Sequence, residues 1–125
     1  EAWRWKHRIG GAMRQAGIIA AAGSWALANH VERLAEDHNN ARQFAKRISK
    51  IPGVQLVNED VQTNLIFFDV SESQLSAQDV SARLREQGIW IGAIDNERMR
   101  AVTHLDISRD DVNEAADRLA KVIKG

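Results

Sequence analysis

The residues of this 125-residue chain best suited to chemistry are arginines. Arg100 opens the stretch Arg100-Ala101-Val102-Thr103-His104-Leu105-Asp106. A guanidinium there offers a planar fork of donors that grips a carboxylate or phosphate bidentately; taken by itself, it is more often a plain surface arginine on a strand. A second basic group gathers near the start, at Arg4, Lys6, His7, Arg8 and Arg14, around Gly10-Gly11. Bare backbone lets a ligand come close, so this cluster suits one small anion, although it is too short and too local for a duplex groove. The remaining polar residues read as structural. Ser108 has no base arranged beside it and reads as a helix cap. Asp106 and Asp111 cap or pair near the last helix, His104 is a satisfied histidine at a strand end, and His30 and His38 sit on helix surfaces or boundaries. No His/Asp/Glu grouping has metal-ligand spacing, and with no cysteine in the chain thiolate sites and disulfides are excluded.

These side chains need elements to hold them. Gly10-Gly11 interrupts an opening helical segment, and a second is expected from Met13 to Asn29. A third is predicted over 31–50, because Val31, Leu34, Ala41, Phe44, Ala45, Ile48 and Ile51 fall mostly in steps of three and four and form one stripe. Pro52-Gly53 stops it. Val54–Val57 and Thr63–Val70 read as strands, and the unbroken apolar run Leu65–Phe68 implies that both faces of the second are covered. Ser76 with Asp79 forms a capping box that opens a helix ending at Gly88. Strands are expected at Ile89–Ala93 and Met99–His104, separated by a turn at Asp95-Asn96-Glu97. Ser108 with Asp111 opens a last helix through Val112, Ala115, Leu119 and Val122. Helices come first, then strand, strand, helix, strand, strand, helix. That order predicts an α/β (α+β) two-layer fold, a small and mostly antiparallel sheet with helices on one face.

Composition narrows the function classes. Apolar residues make up 44% and charged residues 27%, which places the chain among globular domains rather than disordered segments. Its 17 basic and 17 acidic side chains balance, so nucleic acid is not an expected partner. The longest apolar stretch, Ala16–Ala28, is broken by glycine and serine and is too short to span a bilayer, so no membrane is expected either. No secretory signal opens the chain, and a cytoplasmic location is the default. Trp3 and Trp5 are costly to leave in water; the expectation is a piece of a longer protein whose first helix packs on something beyond it.

Four stretches, in order along the chain, resemble the L-threonine aldolase family of low-specificity, pyridoxal-phosphate (PLP) dependent, fold type I enzymes. They are Arg4-Trp5 through Gly10-Gly11-Ala12-Met13-Arg14-Gln15-Ala16-Gly17 with Ile18–Gly23; Val31-Glu32-Arg33-Leu34-Ala35-Glu36-Asp37-His38 with Asn40-Ala41; Gln62-Thr63-Asn64; and Arg100 through Arg109. The first and fourth are the specific ones. The resemblance implies the C-terminal small domain of such an enzyme, at residues 31–125, with residues 1–30 a connecting helical segment leading from a PLP-binding large domain. It implies cleavage of L-threonine, L-allo-threonine and other β-hydroxy-α-amino acids to glycine and an aldehyde, in a homodimer or homotetramer. Arg100 occupies the position that the family uses for the substrate carboxylate. Arg14, and with it Arg8 and His7, falls near the cofactor phosphate. The chain departs from the family in having Lys6-His7-Arg8 and Gly10-Gly11-Ala12 where relatives carry Arg-Lys-Met and three glycines. Neither Lys6, Lys46, Lys50, Lys121 nor Lys124 stands in the family's cofactor-lysine context, so the chain is expected to be inactive without its large domain.

Two other readings share these features. One is a non-catalytic α/β module binding a small anion or a partner, and the other is the small domain of a different fold type I PLP enzyme. The stretches Gly10–Gln15 and Arg100–Asp106 favour the aldolase branch.

Overall fold

The computed structural model describes residues 1–125, which separate into two units, Glu1–Leu34 and Ala35–Gly125. In the first, helix α1 (Ala2–Arg8) is followed by Gly10 at φ +76°, a left-handed conformation natural to glycine. Helix α2 (Gly17–Asn29) begins four residues later than the expected Met13, because Gln15 takes φ +50° and cannot continue a right-handed helix. No side chain caps α2. Neither helix buries a single residue, and Ile18 and Leu27 are 83% and 74% exposed.

The second unit carries the core. Helix α3 (Leu34–Ile48) starts later than expected and leaves Val31 and Leu34 exposed, but Ala41, Phe44, Ala45 and Ile48 are buried along one stripe. Gly53, at φ +89°, ends the turn after it in a conformation that favours glycine, and a Cβ there would lie a tight 3.3 Å from the Ser73 backbone. Then come β1 (Gln55–Leu56), β2 (Leu65–Asp69), α4 (Ala77–Glu86), β3 (Gly92–Ala93), β4 (Arg98–Val102) and α5 (Arg109–Lys124). The sheet order is β1-β2-β4-β3 and every pairing is antiparallel. No helix is long and apolar enough to cross a membrane.

Strand alternation divides the sheet into two faces. Ile66 and Phe68 of β2 and Met99 and Ala101 of β4 join Phe44, Val80, Leu84, Val112 and Leu119 in the core. Phe44 meets Phe68 edge-on, with ring centroids 6.3 Å apart. The other face carries Leu65, Phe67, Asp69, Arg98, Arg100 and Val102, all exposed or half-buried. This corrects the expectation drawn from Leu65–Phe68: the apolar run is continuous, but only its alternate residues are covered within this unit.

Both capping boxes form. The Ser76 hydroxyl accepts from the Asp79 amide at 3.1 Å, and Ser108 does the same for Asp111 at 3.2 Å. Each carboxylate accepts in return from the serine's own hydroxyl and amide. Those bonds hold both aspartates below the ordinary carboxylate range, the hydroxyl contributing most.

Candidate functional site

Arg100 stands in the middle of β4 on the uncovered face. Its register partners are Phe67 on β2 and Gly92 on β3, so an aromatic ring flanks it on one side and bare backbone on the other. No hydrogen bond or ion pair engages its guanidinium. Two residues before it on the same face, Arg98 is held by Asp69, with Nε–Oδ1 2.8 Å and Nη2–Oδ2 2.9 Å. Asp69 and Arg98 are themselves register partners. The carboxylate nearest in the sheet is therefore already satisfied by one arginine, and the other is free for an anion from outside. Asp95 fixes the preceding turn by accepting from the amides of Glu97 and Arg98.

The end of β4 is locked by polar contacts that draw three of the motif stretches together. The Thr103 hydroxyl donates to the Asp37 carbonyl at 2.7 Å. Asn64 donates to the Thr103 carbonyl at 2.8 Å, and the Thr103 amide returns a bond to the Asn64 carbonyl at 3.0 Å. Asn40 donates to the Ile107 carbonyl at 3.0 Å. Thr103, Asp37 and Asn40 are buried. Weak as separate signals, the second and third stretches thus act as a brace that sets the height of β4 against α3. The Asp69–Arg98 pair and this brace both escaped sequence reasoning. The apolar–polar alternation Phe68-Asp69 and Arg98-Met99-Arg100 was the available signal for the pair, but using it required knowing that β2 and β4 are neighbours.

In the first unit, His7 packs edge-on against Trp3 at 5.0 Å, and Arg8 lies over the Trp5 ring at 5.4 Å. Both therefore have partners on their own helix at spacings of three and four. Arg14 is exposed in the turn before α2.

His104 is exposed, its Nδ1 accepting from the Asp106 amide at 3.3 Å. His30 closes α2 with its ring against Trp25. Ser108 is a cap. A cavity of about 430 Å³ lies between Phe44, Ala101 and Val112, with Trp90 and His104 also lining it. Arg100 does not line it, so cavity and arginine are separate features. No group of three or more His, Cys, Asp or Glu residues could hold a metal ion. Lys6, Lys46, Lys50, Lys121 and Lys124 are all exposed.

A small antiparallel sheet backed by helices is also found in solved structures. One is a mutant of the lyase C-DES with glycine covalently linked to its PLP cofactor, at TM-score 0.69 and 24% identity, covering 84% of this chain and 28% of that one. Another is 8-amino-7-oxononanoate synthase from Francisella tularensis, at TM-score 0.64 and 18% identity, covering 84% of this chain and 31% of that one. The fold is shared with part of these fold type I PLP enzymes.

Within that class, the beta-eliminating lyase family model matches residues 1–72, and the chain belongs to this family. It is 40% identical over 113 residues to low specificity L-threonine aldolase of Escherichia coli K12, covering 90% of this chain and 32% of that protein. It is 34% identical over 106 residues to low-specificity L-threonine aldolase 1 of Arabidopsis thaliana, covering 84% of this chain and 30% of that protein. The chain thus spans about a third of the length of the curated relatives it matches.

Proposed function

We propose that this chain is the C-terminal, substrate-gripping domain of a PLP-dependent threonine aldolase, residues 31–125, preceded by a connecting segment at 1–30. The reaction proposed is cleavage of L-threonine, L-allo-threonine and related β-hydroxy-α-amino acids to glycine and an aldehyde, in the cytoplasm, by a homodimer or homotetramer. The observation that carries the reading is the free guanidinium of Arg100 beside an arginine already satisfied by Asp69. The similarity to threonine aldolases supports the choice of reaction.

PLP fits these residues as far as its anionic contacts go. The exposed Arg14 is proposed to meet the phosphate, with Arg8 and His7 nearby in sequence lending positive charge. No lysine of the chain is enclosed, so the covalent anchor is assigned to a large domain beyond these residues. When bound, the cofactor supplies an electron sink for the bond broken at Cα.

The work of this chain is orientation. The Arg100 fork takes the α-carboxylate in two parallel hydrogen bonds and so fixes rotation about the amino acid's Cα. That rotation decides which Cα bond stands perpendicular to the cofactor plane, and therefore which bond breaks. Phe67 covers one flank of the pair from water, which strengthens the charged contact. The brace at Thr103 and Asn64 keeps β4 in place, because a shift of the strand would move the fork with it.

In the complete enzyme, Arg100→Ala should raise KM and lower kcat/KM at least about tenfold, since losing a charged hydrogen-bond partner costs about 1.5–3 kcal/mol. Glycine release from threonine and allo-threonine measures it. Near-normal kinetics would remove Arg100 from the site.

A further inference from the structure

Gly92 has neither of the usual reasons for being glycine. It is not among the residues at positive φ, which are Gly10, Gly53, Gly88, Gly125 and Gln15. A Cβ built on it would meet nothing within 4 Å. Gly53 differs in both respects, with a positive φ and the Ser73 backbone 3.3 Å from where a Cβ would stand. A glycine inside a strand weakens it through chain entropy and lost packing, and it often marks a place where a ligand or another backbone comes near. Nothing in this chain fills the space beside Gly92 where a Cβ would stand.

What a side chain there would do follows from the register. Gly92 is paired with Arg100 on β4, and directly opposed residues place their Cβ atoms about 4.5–5.5 Å apart on the same face. Phe67 already occupies the equivalent place on the far side of Arg100. A second side chain would close the other flank and leave the guanidinium reachable only from above. We propose that Gly92 is a specificity-determining residue: its bare backbone keeps one flank of Arg100 open, so that the carboxylate end of an α-amino acid can lie down against the sheet beside the fork. This rests on the reading of Arg100 as the carboxylate clamp and adds to it the direction from which the carboxylate enters.

The test compares Gly92→Ala, Gly92→Val and Arg100→Ala in the complete enzyme. The readouts are steady-state kinetics with threonine, equilibrium binding of glycine by calorimetry, and thermal unfolding. Filling a space that a ligand must occupy should weaken binding about tenfold or more for valine and about threefold for alanine. The loss should appear in KM for threonine and in Kd for glycine, with kcat within about twofold of the parent, because what is lost is binding common to ground and transition states. Unfolding temperature should hold or rise, since alanine and valine both suit an unstrained strand better than glycine. If Arg100→Ala weakens glycine binding while Gly92→Val leaves KM and Kd unchanged, the open flank is not used and the proposal falls, the clamp surviving. If Arg100→Ala itself changes nothing, the clamp falls and this proposal with it. Should valine lower the unfolding temperature, the alanine variant decides alone: threefold weaker glycine binding supports the proposal, and parental binding overturns it.

Discussion

Helices α2 and α5 have similar lengths, 13 and 16 residues, and are both rich in alanine, yet they have opposite fates. Helix α5 buries Val112, Ala116, Leu119 and Val122 along one stripe and turns Asp110, Glu114, Asp117 and Lys121 outward. Its ends are specified too, by the Ser108–Asp111 box. In α2, Ile18, Ile19, Trp25 and Leu27 are all exposed, and no charged residue marks a wet side. A helix apolar all round is suited to being surrounded, whereas an amphipathic one needs only a single surface to lie on. The second unit is thus sequence-complete for its own core, and the first carries apolar surface that its own residues do not cover.

The largest effect that should separate the two regions is core truncation. Phe68→Ala should cost about 3–5 kcal/mol in urea unfolding, since its ring is fully buried against Phe44. Ile18→Ala in the same chain should change stability by less than about 0.5 kcal/mol. Comparable losses would mean that α2 is packed after all, and the contrast would collapse. Next in size is the brace: Thr103→Val and Asn64→Ala should each cost about 1–3 kcal/mol, because the first removes the bond from β4's end to the Asp37 carbonyl on α3 and the second leaves the Thr103 carbonyl without its side-chain donor. A silent result would mean that α3 and β4 are held by apolar packing alone. Smallest are the caps, where Ser76→Ala and Ser108→Ala should each cost about 1 kcal/mol.

Acid titration sharpens the same point. Asp79 and Asp111 are held below their ordinary range in the folded state, so the unfolded chain takes up their protons first as pH falls. Their contribution is complete above the ordinary aspartate value, about 3.9, and disappears as pH drops through the lowered folded values. Asp79→Asn and Asp111→Asn should therefore make the acid limb of the stability curve shallower, as followed by far-UV circular dichroism.

Local chemistry was the readable part of this sequence. Ser76 with Asp79, Ser108 with Asp111, Gly88 and Pro52-Gly53 mark their boundaries through bonds and dihedrals that involve only neighbouring residues. The antiparallel layer with helices on one face followed from element order. Where the reading failed, a long-range or conformational fact was missing. Leu65–Phe68 looked doubly covered because apolar residues alternate with apolar residues, and composition cannot distinguish a core face from a face that the unit leaves bare. The start of α2 shifted because Gln15 adopts a conformation uncommon outside glycine and asparagine. Arg100 stood out by type and setting, but its freedom depends on Asp69 choosing Arg98, a pairing between residues 29 positions apart.

The strand order has a consequence for synthesis. Strand β4 lies between β2 and β3, although β3 precedes it in the chain. While the ribosome is still making residues 98–102, β2 has only the two-residue β1 beside it and offers an unpaired row of amides and carbonyls along the rest of its length. Such an edge invites pairing with another nascent chain. The seam closes when β4 pairs along β2 from Leu65–Val102 to Asp69–Arg98, so the residue proposed to grip substrate also lies in the strand whose arrival ends the period of exposure.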